Sequence, residues 1–245
     1  MKTKYCSNYE LLPKKIWFLW LQGWQSAPAL VKECFKSWEM CNHEFDVIFV
    51  DIQNLRELVE IEIPDKIFNQ LSPQLQSDVI RLALLNAYGG VWADATTFCT
   101  KPLKGWLPGY FDSGFFAFRL IGHKNLIICS WFLVSLKGHK VIDKWHSEFN
   151  EYWCALKYPQ MGFLRSLVFR ILRRFFNSSV DMTTYWHANF VHKVLKIYPY
   201  FIVMYIFTSI NKNDGEFNKF WRETNIYNCK KIIKLRENIL SINSR

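Results

Sequence analysis

The stretch SPQLQSDVIRLALLNAYGGVWADATT, residues 72–97, leaves this chain few ways to fold. Ser72 is a strong helix N-cap, and Pro73 suits the first helical position, where no amide donor is needed. Gly89 and Gly90 supply a stop. Between Val79 and Tyr88 only Arg81 and Asn86 interrupt the apolar run. The segment therefore predicts a largely buried helix. A short strand, Val91 to Ala93, follows almost at once and delivers Asp94 to its end.

The neighbouring segments supply the rest of a sheet. KKIWFLWLQGW gives a strand from Ile16 to Leu21. SAPALVKECFKSWEMCN, with Ser26 and Pro28 at its start, gives a helix to about Met40. FDVIFVD gives a second strand, closed by Asp51. Strands that are apolar almost throughout, joined by a helix, belong to a parallel sheet covered on both faces. GFFAFRL and LIICSWFLVS read as further strands, and GHKVIDKWHSEFNEYW as an amphipathic helix. The expected fold class is α/β: a single Rossmann-type sheet over residues 1–155, with helices on both faces. A mainly helical, basic and aromatic part follows over 156–245, behind a soft boundary.

The aromatic content, 18% of residues, exceeds what such a core needs, so some aromatic surface is expected to face a ligand or a lipid. The net charge of +10 suits an anionic partner: nucleic acid, an anionic membrane or a phosphorylated substrate. The seven cysteines form no CxxC pair, and several sit in apolar runs, so a reducing cytosol fits best. The first residues, MKTKYCSNYELLPKK, hold no apolar core of a signal peptide. The longest apolar run, IYPYFIVMYIFTSI, is too short to cross a bilayer and contains a proline. A cytoplasmic protein, soluble or peripheral to the membrane, is expected.

Asp78 and Arg81 lie three apart on the apolar helix and share a face. Charges buried there must be paired. They form either a structural ion pair or a pair directed at the carboxyl ends of the strands, where open α/β sheets bind ligands. Asp94 has the same two readings, a turn residue at a strand end or a carboxylate in that crevice. Thr96, two residues on, would share its side of an extended chain. Hard oxygen donors near a diphosphate suit Mg²⁺ or Mn²⁺.

The ordered block SDxxRxxxLxxxGGxWxDAT, with LPKKIWFLWLQGW before it and SWFLVSLKGHKVIDKWHSEFNEYW after it, resembles the bacterial capsular polysaccharide synthesis proteins. These are similar in turn to the DXD-containing sugar transferases, which include yeast mannosyltransferases and clostridial glucosylating toxins. The likeness runs from about residue 12 to 155. It implies a GT-A-type glycosyltransferase that takes a sugar from a nucleotide-sugar donor, with retention of anomeric configuration. It also implies roles: Trp20 stacks on the base, Asp78 and Arg81 hold sugar and diphosphate, Trp92 lies beside the nucleotide, and Asp94 is the first aspartate of DXD. Thr96 stands where the wider group has the second, metal-binding aspartate, so a divalent cation would have one carboxylate fewer. His187, in TTYWHANF, is the candidate for a ligand returned from the C-terminal part; the plainer reading is a buried structural histidine.

Between residues 161 and 176, Arg165, Arg170, Arg173 and Arg174 fall in one half of a helical wheel, with Leu164, Leu167, Ile171 and Phe175 in the other. Such a helix either lays its apolar face on the core or lies in an anionic inner-membrane interface. The second reading fits a lipid-linked saccharide acceptor in capsule or O-antigen synthesis. The rival is a non-enzymatic binder of nucleic acid or another anionic surface. It finds no nucleic-acid motif here and leaves Asp78, Arg81 and Asp94 unexplained, so nucleic acid is not expected as a partner.

Overall fold

The computed structural model describes residues 8–154, 163–225 and 227–228. Five strands form one sheet in the order β2-β1-β3-β5-β4. They are β1 (Lys15–Leu19), β2 (Asp46–Val50), β3 (Gly90–Ala93), β4 (Phe115–Arg119) and β5 (Ile128–Ser135). β1 pairs in parallel with both β2 and β3, as their apolar character predicts. β5 runs antiparallel to β3 and to β4, which puts β4 back in the common direction.

Alternation along each strand sends side chains to two cores. Ile16, Phe18, Val91, Ala93, Phe116 and Phe132 pack with Val31, Cys34 and Trp38 of helix α1 (Ala29–Cys41). Trp17, Leu19, Trp92, Phe115 and Leu133 face the other way. There they meet α2 (Pro73–Tyr88), α3 (Lys140–Cys154) and α5 (Ile202–Asn213), the last following α4 (Phe163–Phe176) in the chain. The helices thus cover both faces.

α2 begins as its sequence demands. Ser72 is extended and its hydroxyl accepts from the Leu75 amide, with Pro73 in the first turn. Gly89 ends it at φ +67°, its amide donating to Leu85 O at 2.9 Å. A Cβ at Gly89 would stand 2.5 Å from the Lys137 backbone nitrogen, and one at Gly90 2.7 Å from Lys15 O. Both glycines therefore satisfy conformation and close approach at once. The turn they make folds β3 back along α2.

Trp145 of α3 donates its indole N–H to Val203 O of α5 at 2.8 Å, and its ring meets Phe207 at 4.8 Å. One core therefore crosses the soft boundary near residue 155. The IYPYFIVMYIFTSI run accounts for this: Ile202 to Ile210 are all buried. A helix enclosed on every side has no polar face to give it a period.

The aromatic surplus is mostly internal. Trp17, Trp92, Trp145, Trp153 and Trp186 are fully buried. Cys34, Cys99 and Cys129 are also buried, as small hydrophobes.

Candidate functional site

The geometry of the glycine turn decides which side chains meet. From Tyr88 back to Arg81 a helix rises about 10 Å, and from Gly90 forward to Asp94 a strand advances about 13 Å. Asp94 thus arrives level with the stretch holding Asp78 and Arg81. Arg81 lies between the two carboxylates: Nη1 donates to Asp78 Oδ1 and Nη2 to Asp94 Oδ1, each at 2.7 Å. The Trp92 indole N–H adds a third bond, also to Asp94 Oδ1, at 2.7 Å. The Arg81 guanidinium carbon stands 5.0 Å from the Trp92 ring centroid, within cation–π range.

The four residues form one hydrogen-bonded unit, and their burial is graded. Arg81 is only 4% exposed and Asp78 is buried beside it, whereas Asp94 opens to solvent. Burial pushes the Asp78 carboxyl up to about 7, against the pull of Arg81 and with a further push from Asp94. With both carboxylates ionised the unit carries one negative charge in excess.

Asp94 is fixed by its backbone as well. Its amide donates to Trp131 O at 2.9 Å, and its carbonyl accepts from the Thr97 amide at 2.8 Å and hydroxyl at 2.6 Å. The chain turns immediately after Asp94 and does not continue extended, so Thr96 is not on a strand with it. The two readings of Asp94 are compatible: it caps a strand end and lines a cleft. Thr96 lines the same cleft from the turn.

That cleft, of about 710 Å³, opens where β1 and β3 end and β5 begins. Leu19 and Trp20 enter from β1, Trp92 and Asp94 from β3, and Ser130 and Trp131 from β5. Its other side is the first turn of α2 with Asp78 and Arg81. The Trp20 indole nitrogen and Arg81 Nε are both buried without a hydrogen-bond partner. Two unpaired donors in one cleft are costly unless a ligand meets them.

Four of the lining residues carried no signal in the sequence. Trp131 stacks on Phe118 at 4.8 Å, and His123 comes from the turn after β4. Tyr200 and Phe201 come from the turn leading into α5, with Val203 and Met204 of its first turn behind them. Partial burial and the charges of Asp78 and Asp94 raise the Tyr200 phenol pKa, so this exposed side chain feels the charged unit. The C-terminal part therefore walls the cleft, through Tyr200, Phe201, Val203 and Met204.

His187 is not brought to this cleft. It lines a separate cavity of about 450 Å³ with Lys144, Glu148 and Ser209, and its Nδ1 lies 3.3 Å from Ser209 Oγ. Burial lowers its pKa, as befits a packed, neutral imidazole. Among the described residues no three His, Cys, Asp or Glu side chains gather into a metal site.

A single α/β sheet with a cleft at the carboxyl ends of β1 and β3, floored by the Asp78–Arg81–Asp94 unit, defines the class. The chain belongs to the capsular polysaccharide synthesis protein family, whose model matches residues 2–241. It is 23% identical over 160 residues to the O-glycosyltransferase braB of Annulohypoxylon truncatum, covering 57% of this chain and 38% of that protein. The chain thus spans well under half of that relative's length. The solved structure of the PaToxG glycosyltransferase matches with a TM-score of 0.40 at 13% identity, over 59% of this chain and 64% of that one. Among the described residues no helix is long and apolar enough to cross a membrane.

Proposed function

We propose that this protein is a glycosyltransferase that moves a sugar from a nucleotide-sugar donor to a lipid-linked saccharide acceptor in capsule or O-antigen synthesis. The observation that carries the reading is the placement of Arg81 between Asp78 and Asp94 at the floor of the cleft. Family membership and the likeness to a glycosyltransferase support it.

The residues divide the work. Asp94 is the carboxylate open to the donor, held in place by Arg81 and Trp92 through Oδ1. Arg81 is enclosed and bonded to both carboxylates, so its charge acts on the departing diphosphate from behind Asp94. Electrostatic stabilisation of that kind needs a fixed charge in a dry setting, which an enclosed guanidinium provides. Trp20 offers its ring and an unpaired N–H to the base. Asp78, behind Arg81, sets the position of the guanidinium. Tyr200 and Phe201, exposed in the opposite wall, suit the apolar faces of a sugar ring. The configuration at the anomeric carbon would be retained, as the family resemblance implies.

The donors present fit a Mg²⁺ or Mn²⁺ ion that arrives with the diphosphate. Asp94 Oδ1 already accepts two hydrogen bonds, leaving Oδ2 and the Thr96 hydroxyl as its protein ligands. Mg²⁺ characteristically takes one or two carboxylates and completes its shell with phosphate oxygens and water. Such an ion would supply positive charge at the leaving diphosphate.

Thermal unfolding with nucleoside diphosphates, with and without Mn²⁺, tests the proposal. Stabilisation by one nucleotide, enhanced by the metal, is expected, followed by hydrolysis or transfer of the matching nucleotide sugar. Stabilisation by single-stranded oligonucleotides and by no nucleotide would favour the rival reading.

A further inference from the structure

Helix α4 is apolar on two sides. Val168, Phe169, Leu172 and Phe176 pack against the main core. Phe169 and Phe176 meet the Trp186 ring at 5.7 and 5.1 Å. These four are not the apolar half marked out in the sequence. Of that half, Leu167, Ile171 and Phe175 are 42%, 52% and 58% exposed, and Leu164 lies outside the residues whose side chains are described.

A single exposed leucine needs no explanation, but a row at i, i+4 and i+8 does. At roughly 100° per residue the row lies between the packed side and Arg170 and Arg174, with Arg173 beyond them. These three arginines are exposed, whereas Arg165 falls on the packed side and is half-buried, and the helix, FLRSLVFRILRRFF, contains no acidic residue.

The end of α4 is tied to the cleft. Asn177, just past it, accepts through Oδ1 from the Trp186 indole at 2.8 Å and from the Tyr205 hydroxyl at 3.2 Å. Tyr205 belongs to α5, whose first turn provides Val203 and Met204 to the cleft wall.

We infer that the outer side of α4 docks on an anionic lipid bilayer. Leu167, Ile171 and Phe175 enter the boundary between headgroups and acyl chains, and Arg170, Arg173 and Arg174 meet the lipid phosphates. Charge complementarity selects this occupant: three exposed cations, no counter-charge on the helix and a chain carrying +10. The docking stands on α4 alone. Joined to the proposed transfer, it sets the cleft wall beside a membrane, where a lipid-linked acceptor resides.

The test is co-sedimentation of the full chain with phosphatidylcholine vesicles, with and without phosphatidylglycerol, at low and high salt. The protein is expected to pellet with anionic vesicles at low salt, to bind neutral ones weakly, and to be released by salt. Replacing Arg170, Arg173 and Arg174 with Gln should lower anionic binding on the order of a hundredfold. Replacing Leu167, Ile171 and Phe175 with Gln should lower binding to both kinds of vesicle. Both triple variants should keep the wild-type melting temperature and its shift by nucleoside diphosphate, which separates this docking from the donor site. Equal pelleting of wild type and variants would overturn the inference, as would wild type left in the supernatant. So would a wild-type dimer that ignores vesicles and is dispersed when Leu167, Ile171 and Phe175 are replaced; that result would assign the row to self-association.

Discussion

Arg81 Nη2 and Asp94 Oδ1 lie 2.7 Å apart across the turn that joins α2 to β3, while the opposite nitrogen of the same guanidinium holds Asp78. One side chain therefore both neutralises a buried carboxylate and aims an open one, and variants can separate the two tasks.

Asp94→Asn keeps the Asp78–Arg81 pair and the backbone bonds to Trp131 and Thr97, so the melting temperature should change little. Transfer should fall by about 10²–10³, the usual cost of losing one fixed charged contact in an active site. Donor turnover measured beside a thermal melt checks this; wild-type turnover by the folded variant would reduce Asp94 to a strand-end turn.

Arg81→Ala strands Asp78 in the core and should cost about 3–5 kcal/mol of stability together with activity. The double variant Asp78→Asn, Arg81→Met leaves no unpaired charge in the core and should regain much of the stability. Activity should not return with it, because Asp94 has lost its anchor. Denaturant titrations of the single and double variants, each paired with an assay, decide the point.

The pH dependence carries a definite sign. Burial raises the Asp78 carboxyl from 3.8 to about 7 in the folded protein, so the folded state holds the proton more tightly than the unfolded chain. Its contribution is complete below about pH 4 and is lost as pH rises towards 7. Asp78→Asn should remove that decline. His187 acts oppositely, since burial lowers its pKa: its contribution is present above pH 6.5 and is lost on acidification. Melting temperatures of wild type, Asp78→Asn and His187→Gln from pH 4.5 to 8 would resolve the two slopes.

Gly89→Ala forces a side chain into a positive φ and against the Lys137 backbone nitrogen. The conformational strain alone is worth about 1–3 kcal/mol, and the clash adds to it. Because the same turn sets Asp94 level with Arg81, catalysis should fall more steeply than stability. Gly109→Ala is the control for a melt and assay of both variants, because an added Cβ there meets nothing within 4 Å.

The legible part of this molecule is local. The Ser72-Pro73 start, the double-glycine stop and the lone aspartate after Ala93 lie within one short stretch. Helix rise and strand advance then force Asp78, Arg81 and Asp94 together. Trp20 and Trp92 were legible through the family resemblance.

What was not legible is set by packing at long range. No residue of LIICSWFLVS announces that β5 runs against β3, so Trp131 could not be placed beside Asp94. The enclosed α5 has no amphipathic period, and Tyr200 and Phe201 in the turn before it were hidden as cleft residues in the same apolar run. On α4 two apolar rows compete, and a helical wheel alone does not say which one the core takes.

The bond from Trp145 to Val203 also orders events at the ribosome. When the sheet and α3 have emerged, the surface that α5 will cover is still bare, and it includes Trp145. Until residues 202–210 leave the exit tunnel, that face lacks the α5 that covers it in the folded protein. Such intermediates are aggregation-prone. Slowing translation between residues 155 and 202 should therefore lower the soluble yield, and chaperones that hold emerging apolar surface should restore it.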